Sequence, residues 1–252
     1  MVPVYDALAD LITGSSCLGC ARPGRLVCPD CRGRVPSRAR LLLPDPCPPG
    51  LPPTWSCADY EGLVRALVVG HKEHRLLGLT RLLGELLAIA ARAAVPSADR
   101  VLLVPVPSRR ATTRSRGFEP TWAMARAAAR QWGPGSSGPG AALADAVRLL
   151  ALRGRPADQA GLSAVQRAAN LRSTMWCPTS HLARLREGQR RASVVLCDDV
   201  LTTGATVAEA ARALAAVGIG VAGIATVAAT RRTHAAHSEH SEGSLVLRGR
   251  TD

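Results

Sequence analysis

The stretch Val194-Val195-Leu196-Cys197-Asp198-Asp199-Val200-Leu201-Thr202-Thr203-Gly204-Ala205-Thr206 decides the fold. Its apolar part is short and β-branched, as expected of a strand that is buried on both faces of a parallel sheet. The two acids then fall at the tip of the strand, and a hydroxyl-rich turn leads into a helical pattern over residues 207–217. Because open α/β sheets bind ligands at the carboxyl ends of their strands, we expect a ligand here.

The turn after the acids has the composition of a phosphate site. Backbone N–H groups and hydroxyls at the start of a helix face its positive end, which favours an anion. The carboxylates of Asp198 and Asp199 can accept hydrogen bonds from sugar hydroxyls, directly or through Mg²⁺. The combination indicates a sugar phosphate. The alternative is an ordinary parallel strand that ends in a polar turn, but such a turn does not need two consecutive acids.

This segment closely resembles the signature of the type I phosphoribosyltransferases, which bind phosphoribosyl pyrophosphate (PRPP). The resemblance implies an α/β fold with a Rossmann-like parallel sheet flanked by helices. Members of the family that act on 6-oxopurines commonly have a further Asp where this chain has Thr202. Threonine cannot act as a base at neutral pH, which disfavours a 6-oxopurine acceptor.

Four of the eight cysteines form two tight pairs, Cys17–Cys20 and Cys28–Cys31. Two Cys-x-x-Cys pairs can complete a tetrahedral thiolate site, and four protein ligands make such a zinc site structural. Disulfides are the alternative, although a cytosolic protein keeps its thiols reduced. We therefore predict a small zinc ribbon ahead of the α/β domain. The other four are expected to be structural thiols: Cys47 and Cys57 in a linker, Cys177, and Cys197 buried in the strand.

A length of 252 residues permits one α/β domain with an appendage or two small domains, and 47% hydrophobic content is enough for a core. A Pro-dense stretch over residues 43–53 predicts a semi-rigid linker. We expect a zinc module with its linker over 1–53, a phosphoribosyltransferase-like domain over 54–230 and a mobile polar tail over 231–252. Helices are predicted from Tyr60 to near Gly70, Leu79 to Ala94 and Thr121 to Gln131, and strands over 101–107, 147–151, 193–197 and 221–229.

The formal net charge of +13 raises the question of nucleic-acid binding. Almost all of this charge is arginine, Lys72 is the only lysine, and Ala, Gly and Pro are abundant, so compositional bias is an alternative explanation. No apolar run approaches the length of a membrane span, and the N-terminus lacks the basic flank of a signal peptide. We expect a cytoplasmic protein.

Further motifs resemble the ComF family of competence-associated, phosphoribosyltransferase-like proteins, from Cys17 to about Ala229. They are the paired cysteines, Tyr60-Glu-Gly with Lys72, Val104-Pro-Val-Pro-Ser-Arg with Arg114-Ser-Arg-Gly-Phe118, and Gln159-Ala-Gly-Leu-Ser163 with Arg167 and Asn170. The family usually continues Gly-Phe-Asn-Gln, whereas this chain has Glu119-Pro120 after Phe118. Some relatives also carry further paired cysteines, so a single zinc is expected here.

The resemblance implies a role for each part of the site. Asp198 and Asp199 would orient the ribose, and residues 159–170 would close as a lid. The 5′-phosphate would be held by Thr202, Thr203, Gly204, Ala205 and Thr206, and the pyrophosphate by Pro107, Ser108 and Arg109. The departing charge would be stabilised by Arg114, Arg116 and Arg167.

Two functions of different classes stay open. One is an enzyme that transfers the phosphoribosyl group. The other is a non-catalytic PRPP sensor or single-stranded-DNA-binding module that acts with DNA-uptake proteins. Aromatic residues make up only 3% of the chain, which argues weakly against a base-stacking groove. A basic surface for DNA would combine the 109–116 loop with arginines of the zinc module, namely Arg22, Arg25, Arg32 and Arg34.

Overall fold

The computed structural model describes residues 15–108, 117–132, 143–153, 174–183, 185, 192–230 and 233–235. The strands are β1 (Arg40–Pro44), β2 (Thr54–Asp59), β3 (Arg100–Pro105), β4 (Leu143–Ala146), β5 (Ala151–Leu152), β6 (Met175–Trp176), β7 (Ser193–Leu201), β8 (Gly223–Ala229) and β9 (Thr233–Ala235). Seven of them form one sheet in the order β4-β3-β7-β8-β2-β1-β9. Pairing from β4 to β2 is parallel throughout, and β1 is antiparallel to both of its neighbours. The predicted α/β fold with a mostly parallel sheet is confirmed.

The helices are α1 (Pro29–Gly33), α2 (Gly62–Lys72), α3 (Thr80–Ala94), α4 (Pro120–Arg130), α5 (Thr179–Leu182) and α6 (Ala205–Ala215), with a 3₁₀ turn at Leu77–Leu79. Helix α4 begins at Pro120, because proline suits the first turn of a helix, where its missing N–H costs nothing. None of the described helices has the length and apolar character needed to cross a membrane.

Side chains along the central strands alternate between two cores. Leu103 of β3 and Val195 of β7 lie in the core shared with α2, α3 and α4. Their neighbours Leu102 and Val194 lie in the core beneath α6. Because successive residues of a strand point to opposite faces, the same alternation places Asp199 on the α2 face of the sheet.

The strand order produces a crevice at the carboxyl ends of two neighbouring strands. The chain leaves β3 in one direction along the sheet, through α4 to β4, and it leaves β7 in the other direction, through α6 to β8. Connections that diverge from adjacent parallel strands open a space between them, and ligands bind in such spaces in α/β proteins.

Two of the predicted strands differ in the structure. The predicted strand over 147–151 is wrong, because the strand lies earlier, at Leu143–Ala146. Leu149 and Leu150 are buried without belonging to a strand, so their apolar pattern indicated burial rather than conformation. Strand β7 continues past the acids to Leu201, paired with β8, whereas its pairing with β3 stops at Cys197.

The first two strands of the sheet were not predicted. Strand β2 buries the polar side chains of Thr54 and Ser56 and follows a run of prolines, so it lacks the usual pattern of a strand. Cys57, expected in a linker, is buried within β2. Strand β9 comes from the segment expected to be a mobile tail, and 236–252 lie outside the described residues.

A buried acid fixes the short β5–β6 pair onto α6. Glu209 Oε1 accepts a hydrogen bond from the backbone N–H of Met175 at 3.0 Å, and Arg212 Nη2 donates to the Met175 carbonyl at 3.0 Å. The Arg212 guanidinium also donates to both carboxylate oxygens of Glu209, at 2.7 and 2.8 Å. A buried carboxylate needs such hydrogen-bond partners. The Glu209–Arg212 pair therefore holds β6 against α6 before the chain returns to the main sheet at β7.

Candidate functional site

A cavity of about 360 Å³ lies in the crevice between β3 and β7. Its wall combines the end of α2, the segment after β3, the start of α4 and the segment that joins β7 to α6. The lining residues are Tyr60, Val68, Lys72, Val106, Pro107, Ser108, Thr121, Asp198, Asp199, Val200, Thr202 and Thr206. Residues predicted from two separate segments, Pro107 and Ser108 and the acids with Thr202 and Thr206, are therefore brought together. The other predicted residues of the turn, Thr203, Gly204 and Ala205, are not part of the cavity lining.

The two acids lie inside β7, where its pairing with β3 has already stopped. The backbone N–H of Asp199 donates to Asp198 Oδ1 at 2.9 Å, and the N–H of Val200 donates to Asp199 Oδ1 at 2.9 Å. Asp199 Oδ2 is buried and accepts no well-directed hydrogen bond, but it lies 2.5 Å from Lys72 Nζ. Carboxylate oxygens are the ligands that Mg²⁺ prefers, so this pair fits a magnesium ion that arrives with a phosphate ligand.

The surroundings of Asp198 shift its pKa. Burial and the adjacent charge of Asp199 raise the pKa of Asp198 to about 8, although Lys72 acts in the opposite direction. A carboxyl group with this pKa is mainly protonated at neutral pH in the ligand-free protein. The site therefore holds less negative charge than its two acids suggest.

The predicted phosphate turn is a tight turn that opens α6. Gly204 precedes the first residue of the helix and has φ +71°, a left-handed conformation that favours glycine. A Cβ there would lie 2.8 Å from Pro44 Cγ, so the Pro-rich segment is packed against the turn. The first N–H groups of α6 have no partners within the helix and lie beside the cavity, next to Thr206.

The far wall is the segment that follows β3. The N–H of Val106 donates to the Cys197 carbonyl at 2.9 Å, which holds this segment beside β7. Pro107 and Ser108 line the cavity, as predicted for pyrophosphate contacts. Arg109, Arg114, Arg116 and Arg167, and the lid expected over 159–170, lie outside the described residues, so their roles stay predictions.

The end of α2 was not predicted to take part in the site. Lys72, the last residue of the helix, reaches Asp199. Its neighbour His71 is buried, and its Nε2 lies 2.9 Å from Thr80 Oγ1. Burial lowers the pKa of His71 to about 4, against the opposing influence of the Asp199 charge. The neutral imidazole of His71 therefore fixes the backbone next to the charged Lys72.

The end of the basic loop is attached to the same helix. The rings of Phe118 and His71 meet edge to face, with their centroids 5.3 Å apart. Gly117 has φ +70°, and a Cβ at this position would overlap Arg75 Nη2. The described residues on either side of 109–116 are therefore Ser108 in the cavity wall and Gly117 beside Arg75.

Glu119, which departs from the family pattern, has a definite partner. Its Oε2 accepts hydrogen bonds from Arg148 Nε at 2.9 Å and from Nη2 at 2.7 Å. The Arg148 guanidinium also lies 3.9 Å from the centre of the Trp122 ring. These residues border Pro107 and Ser108 on the side away from the acids. The acid that replaces an amide therefore pairs with an arginine beside the site.

The four N-terminal cysteines form one cluster, with all sulfurs within 4.8 Å of one another. Cys20 Sγ and Cys28 Sγ are 3.6 Å apart. Tetrahedral zinc with bonds of ~2.3 Å places its sulfurs about 3.8 Å apart, so the cluster fits zinc. Burial tends to raise the pKa of Cys17. Hydrogen bonds from the backbone N–H groups of Cys28 and of the turn that follows Cys17 nevertheless lower this pKa to about 6. A thiolate ready to bind metal is the consequence.

The zinc module packs directly on α2. Leu63, in the first turn of the helix, packs against the cysteine cluster. Near the other end, a Cβ on Gly70 would lie 3.1 Å from Leu18 Cδ1 of the module. Arg32 of the module also forms an ion pair with Glu85 of α3. The module therefore shares an interface with the helix that carries Lys72.

The predicted DNA surface is partly neutralised within the described residues. Arg22 pairs with Asp30 at 2.9 Å, and Arg32 pairs with Glu85. Ion-paired arginines contribute less net charge toward a polyanion than unpaired ones. DNA binding stays a prediction.

The comparisons with known proteins support this interpretation of the site. Residues 147–244 match the family described as phosphoribosyl transferase domain. The match covers less than half of the chain, but it includes β7, α6 and β8, which carry the acids and the phosphate turn. No curated protein matches the chain significantly. A domain of the phosphoribosyltransferase type is thus supported by both the sequence match and the mostly parallel sheet.

Proposed function

We propose that this chain binds PRPP with Mg²⁺ in the cavity between β3 and β7, as a phosphoribosyltransferase-like protein of the ComF type. One observation carries the proposal: the acids Asp198 and Asp199 and the turn residues Thr202 and Thr206 line one crevice with Pro107 and Ser108. PRPP has anionic groups at both ends of a sugar that offers hydroxyls. The cavity offers the two carboxyl groups as hydrogen-bond acceptors. The segments on either side of them, at Ser108 and at the start of α6, offer backbone N–H donors.

In this arrangement each part of the ligand meets a group of suitable chemistry. The 5′-phosphate lies at the start of α6, where N–H groups without partners inside the helix and the helix dipole favour an anion. The ribose hydroxyls donate to the two carboxylates, and Mg²⁺ offsets charge between the carboxylates and the pyrophosphate. The pyrophosphate lies against Pro107 and Ser108. In a transfer, the bond between C1′ and pyrophosphate would break and a nucleophilic atom of the acceptor would bond to C1′, while positive charge develops on the ribose near the acids.

Calorimetric titration of PRPP in the presence of Mg²⁺ tests the binding. We expect saturable binding by the wild type and strong weakening in the double variant Asp198→Asn with Asp199→Asn. Asp99→Asn is a matched control, since Asp99 is an exposed acid that precedes β3, at the opposite end of the strand from the cavity. Equal affinity in the wild type and the double variant would remove the proposal.

A second experiment distinguishes an enzyme from a protein that only binds PRPP. Pyrophosphate release is measured with PRPP, Mg²⁺ and a panel of candidate bases. Release above the rate of spontaneous hydrolysis identifies a transferase and its acceptor. PRPP binding without release with any acceptor favours a non-catalytic PRPP-binding protein, which was the second function predicted from the sequence.

A further inference from the structure

Lys72 is the only lysine of this arginine-rich chain, and the structure places it in the cavity wall. Arginine and lysine are not interchangeable, because a guanidinium is a broad planar fork, whereas an ammonium is a compact charge on a flexible stem. A composition that uses arginine for every other strongly basic residue has kept an ammonium at this one position. A site that needs a compact cation would account for a lysine at this position.

The position of Lys72 is fixed by its two predecessors in α2. Gly70 lies against Leu18 of the zinc module, with only 3.1 Å between Leu18 Cδ1 and the place of a Cβ. His71 is buried and lies 2.9 Å from Thr80 Oγ1 through its Nε2. Gly70 and His71 thus hold the end of α2 on two sides, against the zinc module and against α3. The lysine leaves this fixed point toward the cavity.

The two partners of the ion pair differ in exposure. The side chain of Asp199 is 7% exposed and that of Lys72 is 36% exposed. The carboxylate is therefore held within the protein, while the ammonium faces the space where a ligand would lie. A cation on a flexible stem can change partners here without a movement of the backbone.

We propose that Lys72 is a ligand-binding residue that exchanges Asp199 for a phosphate oxygen of bound PRPP. This inference rests on the proposed function. In the ligand-free site the ammonium neutralises Asp199. A Mg²⁺ ion held near the acids would add a second positive charge beside the ammonium, and the repulsion would favour departure of the ammonium. The phosphates of the ligand then provide it with a new anionic partner.

A pair of titrations measures this exchange, with Mg²⁺ alone and with PRPP plus Mg²⁺. Lys72→Met removes the competing ammonium, so Mg²⁺ alone should bind more tightly than it does to the wild type. The same variant loses a charge-assisted hydrogen bond to phosphate, so PRPP should bind roughly ten- to a hundredfold more weakly. Lys72→Arg should restore only part of the PRPP affinity. Arg65→Met, which removes an exposed cation from the same helix, should change neither affinity.

The unique lysine also permits a measurement on the unaltered protein. Reductive methylation followed by mass spectrometry should modify Lys72 and the N-terminal amine in the ligand-free protein. PRPP with Mg²⁺ should slow methylation of Lys72 and leave the N-terminal amine unchanged. Equal methylation with and without PRPP, together with unchanged PRPP affinity in Lys72→Met, would overturn this inference but leave the proposed function standing. Failure of the wild type to bind PRPP would instead overturn the proposed function, and this inference with it.

Discussion

The backbone N–H of Asp199 donates a hydrogen bond to Asp198 Oδ1, so the two acids are in direct contact. Burial and the neighbouring Asp199 raise the pKa of Asp198 to about 8, while the ion pair with Lys72 holds Asp199. The adjacent acids of the sequence therefore play different parts in the folded protein. Asp198 is a site of proton uptake, and Asp199 is the ion-pair partner of Lys72.

Binding of PRPP with Mg²⁺ should release a proton from Asp198. The ligand needs the carboxylate form, which is the minor form below a pKa of about 8. Affinity should therefore increase as pH rises toward that value and change little above it. Calorimetry in buffers of different ionisation enthalpy measures the released proton directly. The dependence should disappear in Asp198→Asn, and its persistence there would assign it to another group.

The stability of the ligand-free protein should change with pH in the opposite direction. Asp198 has a pKa of about 8 when folded, against ~3.9 in an unfolded chain. The native state thus binds the extra proton between these values, and its contribution to stability is lost as pH rises through that window. Urea unfolding across this range should show a smaller decline for Asp198→Asn than for the wild type. An identical decline in both proteins would contradict the raised pKa.

The protein should contain one zinc ion per chain. Cys17→Ser or Cys28→Ser removes a thiolate from the cluster and should abolish tight binding, because an incomplete tetrahedron holds the ion weakly. Elemental analysis of freshly purified, reduced protein measures the metal. Cys47→Ser should keep the full zinc content, since Cys47 is exposed and lies outside the cluster. Metal-free wild-type protein would refute the zinc module.

Gly204→Ala should destabilise the protein by about 2–4 kcal/mol, the sum of a strained backbone and a close contact. The residue has φ +71°, and its new Cβ would lie 2.8 Å from Pro44 Cγ. Gly218→Ala is a matched control, because φ is +78° but no atom lies within 4 Å of the added Cβ. It should cost only about 1 kcal/mol. Chemical denaturation measures both, and equal losses would show that the Pro44 contact contributes nothing.

Local patterns were sufficient to predict the centre of the fold and part of the site. The apolar run before Asp198 and the turn before α6 depend on neighbours in the chain, so the strand, turn and helix were predicted in the right order. The cysteine pairs are equally local, and their sulfurs do form one cluster.

Contacts between distant segments could not be predicted in this way. The partner of Asp199 comes from α2, and nothing in the residues around Lys72 indicates which strand this helix crosses. Strand β2 was missed because its stability comes from parallel pairing with β8 rather than from an apolar pattern of its own. Glu209 looked like an ordinary helix residue, yet it is buried and binds the backbone of β6.

The contact between Leu18 and Gly70 limits how freely the zinc ribbon of this protein could be exchanged for that of another protein. A zinc ribbon joined by a linker alone could be exchanged between proteins as an independent building block. Here the ribbon's leucine fits against a glycine only two residues before Lys72. A chimaera with a foreign ribbon would alter the surface on which the last turn of α2 rests. The ribbon and the α/β sheet are therefore expected to be inherited as a pair, with Leu18 and Gly70 changing together.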